Sequence, residues 1–134
     1  MKLKNVTYIA AIFLSLVSQT VLAENNSITY KNGRGSLLTL KFSSDYTVTG
    51  SFTNAVASKS CQQSVGMKRP IQGFTADNAI TIIVNYPGCG AVVTFIGNMD
   101  SSKKIIDTTA LVAYQSSQDG LGPLMVTHDV FKQV

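Results

Sequence analysis

After residue 26 the chain falls into eight runs of five to eleven residues in which apolar and polar side chains alternate, and every gap between runs carries turn-forming residues. A side-chain period of two, bounded by turns, marks a half-buried strand. The runs cover 27–31, 36–43, 47–56, 68–75, 79–86, 91–99, 104–114 and 125–132. Their joints include Asn32-Gly33-Arg34-Gly35, Ser43-Ser44-Asp45, Ala76-Asp77-Asn78, Asp100-Ser101-Ser102 and the stretch from Gln118 to Pro123, all rich in residues that supply turn geometry. Connections this short leave no room for crossover helices, so neighbouring strands are expected to run antiparallel. The pattern predicts an all-β fold, an eight-stranded antiparallel up-and-down β-barrel, with an open sandwich as the alternative. A closed barrel of this size has its mouth as the natural working site.

A different kind of segment precedes the strands. Lys2 and Lys4 lead into an almost wholly apolar stretch over 6–17, and Val21-Leu22-Ala23 places a small residue before Glu24, the layout of a cleavable export signal. The apolar stretch is too short for a permanent bilayer anchor. We expect a signal peptide over 1–23 and a mature domain over 24–134, secreted or periplasmic, with no membrane attachment once the leader is cleaved. A mature chain of 111 residues is one domain, small enough that a covalent brace would help it. Loss of Lys2 and Lys4 leaves nine basic residues against seven acidic ones, a net charge near +2. That balance is too weak to point to nucleic acid or a membrane surface. Lys103-Lys104 sits where a turn is expected and reads as solvated.

Cys61 and Cys89 fall in turn-like stretches, 58–66 and 87–90. An even cysteine count in an oxidising compartment favours a disulfide; two free buried thiols are the alternative. A bridge would close a loop of about 28 residues, worth about 3–4 kcal/mol if unstrained. Two thiols and one histidine, His128, lack the close spacing of zinc ligands, so no metal is expected.

Strand parity sorts the side chains. In the third run Val48, Phe52 and Asn54 share one face, and Thr47, Thr49, Ser51 and Thr53 the other, so the first set looks inward and Asn54 stands inside at the strand's end. In the last run Thr127, Asp129 and Phe131 alternate with Val126, His128 and Val130. Asp129 can therefore be interior, where a carboxylate needs hydrogen-bond donors. Taken alone it reads as a structural clamp sooner than as a ligand contact, and Asn32 and Ser36 read as turn chemistry. Catalysis has little to stand on: His128 and Asp129 face opposite sides of one strand, no serine sits in a nucleophile elbow, and no paired carboxylates share an expected face.

Three runs, Asn32-Gly33-Arg34-Gly35-Ser36, Gly50-Ser51-Phe52-Thr53-Asn54-Ala55-Val56 and His128-Asp129-Val130-Phe131, resemble the avidin and streptavidin family in order and spacing. The resemblance spans essentially the whole mature chain. Cys61 and Cys89 are similar to the loop-bridging pair of the family's dimeric, rhizavidin-type branch. The resemblance implies an eight-stranded barrel that binds biotin or a cyclic urea analogue of it, with no cofactor, at its open end. It implies that Asn32 and Ser36 donate to the ureido carbonyl oxygen and that Asp129 and Asn54 accept from the ureido nitrogens. Phe52, Tyr86 and Phe95 are then apolar walls.

The match is incomplete. Phe52 stands where the family has a tyrosine that also meets the carbonyl oxygen. Ala91 and Val93 replace a serine and a threonine, and the three tryptophan positions are similar to Tyr86, Phe95 and Ala110. The resemblance therefore implies weaker biotin binding than is typical of the family. A barrel retuned to a more apolar ligand, or kept for assembly and surface interaction, is the alternative. Leu111, Val126, His128 and Val130 lie on outward faces of the last two strands, where family members pair, so a homodimer is expected.

Overall fold

The computed structural model describes residues 26–116 and 122–134. The expected leader and its cleavage point lie outside them, as do residues 118–121 of the last expected turn. Eight strands are present among the described residues: β1 (Ser27–Asn32), β2 (Leu37–Phe42), β3 (Thr47–Thr53), β4 (Lys68–Ala76), β5 (Ala79–Tyr86), β6 (Ala91–Met99), β7 (Ile105–Tyr114) and β8 (Leu124–Gln133). Each pairs antiparallel with its neighbour in sequence, and β1 closes onto β8 through Tyr30↔Gln133, Lys31↔Lys132 and Asn32↔Phe131. The sheet is a closed barrel, not an open sandwich.

Alternation drives the closure. The inward positions Tyr30, Leu38, Leu40, Val48, Ile82, Val84, Ile106 and Phe131 are almost completely buried, and each burial of such a side chain contributes about 1.5–3 kcal/mol. Inward glycines, Gly50 and Gly73 among them, let neighbouring strands approach closely. A Cβ added at Gly50, where φ is 142°, would lie 1.9 Å from the Thr39 carbonyl oxygen, and one at Gly73 would lie 1.9 Å from that of Thr81. Any side chain at these points would push neighbouring strands apart.

The strand ends differ from expectation where side chains compete for the backbone. β3 stops at Thr53, three residues short of the expected Val56, because Asn54 leaves the ladder to form an isolated parallel bridge with Val65. Ser36 lies in the turn before β2, since its N–H is held by the Asn32 side chain. β7 starts at Ile105 because the Asp100 carboxylate takes the N–H groups of Lys104 and Ile105. The cysteine-bearing stretches wind into short 3₁₀ segments, Lys59–Ser64 and Pro87–Cys89. Both lie at the end of the barrel where β1, β3, β5 and β7 terminate, and that end holds the cavity.

Candidate functional site

The β1–β2 turn is built around one asparagine. Asn32 Oδ1 accepts from the N–H groups of Arg34 (3.1 Å) and Ser36 (2.9 Å), an Asx-type closure that fixes the side chain's orientation. Gly35 supplies the positive φ of 92° that the turn needs. With its oxygen committed to the turn, the amide nitrogen of Asn32 is left to donate across the barrel to Asp129 Oδ2 at 2.8 Å. Asn32 and Ser36 are both buried. Ser36 Oγ accepts from the Ala55 N–H at 3.0 Å, which ties this turn to the exit of β3 and leaves the hydroxyl hydrogen for another acceptor.

A second chain of hydrogen bonds starts at β5. The Tyr86 hydroxyl donates to Asn54 Oδ1 at 2.9 Å, and Asn54 Nδ2 donates to Ser64 Oγ at 3.2 Å. Burial pushes the Tyr86 phenol up to about 12, although the nearby Arg69 charge and the bond to Asn54 both pull it down. Arg69 lies 6.0 Å over the Tyr86 ring and donates twice to the Asn85 carbonyl. The backbone of Asn54 also accepts from the Gly66 N–H at 2.8 Å, so the 3₁₀ segment Lys59–Ser64 is folded back over the barrel end. A disulfide between Cys61 and Cys89, with Cα atoms 5.4 Å apart, pins that segment to the β5–β6 connection. The free-thiol alternative is thereby removed.

These groups surround one cavity of about 410 Å³. Phe52 and Phe95 line it with rings 5.3 Å apart, and both are backed by Phe131, which does not itself line the cavity and meets Phe95 edge-on at 5.2 Å and Phe52 at 6.2 Å. All seven residues expected at the site, Asn32, Ser36, Phe52, Asn54, Tyr86, Phe95 and Asp129, line the cavity. The β6–β7 wall is apolar, formed by Ala91, Val93, Ala110 and Val112. The arrangement suits a compact ligand with a polar, planar head and an apolar body.

Several lining residues escaped the sequence reading, and three of them carry polar groups into or beside the site. Ser64 is buried and reaches the cavity only because of the Asn54–Val65 bridge, a contact no local pattern announces. Thr127 stands directly across from Ala110 and shares the parity of Asp129, a signal that was available. Arg34, at the tip of the first turn, also borders the cavity. His128, by contrast, faces outward and pairs with Asp107 at 2.6 Å on the exposed surface. No group of three or more potential metal ligands occurs among the described residues.

The model of the Avidin family matches residues 21–134. The chain belongs to this family. Among solved avidin-like structures, a short afifavidin–biotin complex is similar at 27% identity, covering 81% of this chain and 88% of that one with a TM-score of 0.68. The bradavidin2–biotin complex matches at 21% identity over 80% of this chain and 95% of that one, TM-score 0.68. The rhizavidin–biotin complex matches at 19% identity over 82% and 93%, TM-score 0.68. The last two likenesses speak to the fold. No curated protein matches the chain.

Proposed function

We propose that this Avidin family member is an exported, non-catalytic protein that captures biotin in the barrel mouth. The observation that carries the reading is the convergence of Asn32, Ser36, Asn54 and Asp129 on one cavity lined by aromatic rings. Biotin's head is a cyclic urea, an acceptor and two donors fixed in one plane. The free hydrogen of Asn32 Nδ2 and the Ser36 hydroxyl can serve its oxygen, while the second oxygen of Asp129 and the remaining lone pair of Asn54 can accept from its nitrogens. Because the protein groups already hold one another, little ordering entropy is lost on binding. Short afifavidin, which is similar at 27% identity, forms a biotin complex.

Affinity is attenuated relative to the tightest binders. Phe52, Ala91 and Val93 bring no hydroxyl, each absence costing about 1–3 kcal/mol in a desolvated site, and Ala110 gives up an aromatic wall worth at least about as much. A total loss of roughly 6–12 kcal/mol, set against the ceiling of about 18–21 kcal/mol, leaves roughly 6–15 kcal/mol, a dissociation constant between roughly tens of micromolar and tens of picomolar. Isothermal titration of the oxidised protein with biotin tests this directly. Asp129→Ala should weaken binding by about 2–3 kcal/mol, and retention on biotin-agarose that ignores this substitution would refute the reading. The apolar run Ala91, Val93, Ala110 and Val112 favours a second reading, a pocket retuned to a more apolar ligand, which predicts no heat with biotin.

The disulfide fits an oxidising compartment, in keeping with export. Assembly as a homodimer is supported by the outer face of β7 and β8, where Leu124 and Val126 are 64% and 58% exposed beside Leu111 and Val130. Light scattering should give a dimer at micromolar concentration; a clean monomer would overturn that part.

A further inference from the structure

We propose that Arg34 makes the pocket selective for ligands whose outer arm carries a negative charge, so that free biotin is held more tightly than the same ring system with a neutral arm. The inference rests on the biotin reading. Among the described residues two charged side chains line the cavity, Arg34 and Asp129, and one oxygen of Asp129 is already bonded to Asn32. Arg34 is exposed at the tip of the β1–β2 turn. Its backbone N–H is held by Asn32 Oδ1, so the residue's root is fixed beside a candidate ligand contact. Among the described residues its guanidinium has no hydrogen-bond or ion-pair partner. An unpaired guanidinium at the rim of a cavity has five donors to offer an anion.

The surroundings leave that role to Arg34. The β6 wall presents Ala91 and Val93, which carry no donor. The Ser58 hydroxyl, also on the rim, is paired with Ser60 at 3.2 Å. On the outer side of the turn, Arg34 borders a cleft with Lys31 and Lys132, whose charges are offset in part by Asp129, which lines the same cleft. Tyr114 is the neutral competitor, because it too lines the cavity.

The test compares biotin with biotin methyl ester by titration calorimetry on the oxidised protein, at low and at high salt. Biotin should bind about tenfold more tightly than the ester at low ionic strength, and the gap should shrink at about 0.5 M salt, where exposed charges are screened. Arg34→Gln should weaken biotin to the level of the ester while leaving ester affinity and the melting temperature unchanged. Equal affinities in the unaltered protein would overturn the inference and spare the biotin reading, as would a preference that survives Arg34→Gln or is lost in Tyr114→Phe instead. Failure of both ligands to bind would overturn the biotin reading and this inference with it.

Discussion

The two ends of the barrel are cut from the same eight strands and finished by opposite means. At the end that carries the β2–β3, β4–β5 and β6–β7 connections, tight turns close on themselves. Tyr46 N–H bonds Ser43 O, Lys103 N–H bonds Asp100 O, and the Asp100 carboxylate gathers the N–H groups of Lys104 and Ile105. At the mouth the partners are far apart along the chain: Asn32 reaches Asp129 across 97 residues, Tyr86 reaches Asn54 across 32, and the disulfide spans 28. Within each turn at the first end local bonds do the closing, with little loop entropy at stake, and longer ties such as Tyr30 to Lys103, 73 residues apart, are added to turns already closed. The other end stays open and has to be held in shape by long-range ties.

That difference is most sharply tested at the disulfide. Replacing both cysteines by serine should lower stability by about 3–4 kcal/mol and the melting midpoint by roughly 10–20 °C in calorimetry. An unchanged midpoint would mean that the mouth does not depend on its covalent brace. At the closed end, the Tyr30 hydroxyl donates to the Lys103 carbonyl at 2.7 Å. Tyr30→Phe should cost about 1 kcal/mol in chemical denaturation and leave biotin titrations unaltered, since Tyr30 does not line the cavity. A change in affinity from this substitution would show that the two ends are coupled after all.

The same contrast explains what could be read in the sequence. Alternation and turn chemistry act over a few residues, so they disclosed all eight strands, the antiparallel order and most of the turns. Parity disclosed which way Phe52 and Asn54 face and allowed Asp129 to be interior without fixing it. The limits of β3 escaped because Asn54 is drawn out of its ladder by Val65, eleven positions on, and by Tyr86 on another strand. Ser64 was invisible for the same reason: its place depends on how a 3₁₀ segment folds back, not on its neighbours in sequence. The pocket's polar residues were found through likeness to a family. Alone, Asn32 and Ser36 look like turn residues, and they are turn residues as well.

Inside the mouth, the β6–β7 wall offers a way to sharpen the comparison. Ala110 faces the cavity across from Thr127, where a larger ring would have space to enter. Ala110→Phe should tighten biotin binding by about 1 kcal/mol, read as a five- to tenfold lower dissociation constant. Weaker binding would mean that the ligand already fills this wall.

The smallest effect is absent at neutral pH and emerges only in alkali. Burial raises the Tyr86 phenol from 10.0 to about 12, so the folded protein holds this proton more tightly than the unfolded chain does. Its contribution is complete below pH 10 and is lost as pH rises toward 12, because the unfolded state ionises first. Tyr30 is raised as well, by burial and then by the charge of Asp100, so both ends of the barrel weaken together in alkali. Thermal melts should hold level from pH 7 to pH 9.5 and then fall. Tyr86→Phe should make that fall shallower, leaving the part due to Tyr30, and a profile identical to that of the unaltered protein would show that the Tyr86 hydroxyl is not buried in the mouth. Ionised, Tyr86 could no longer donate to Asn54, so biotin affinity should decline over the same window, whereas loss of the Tyr30 proton should leave it unmoved.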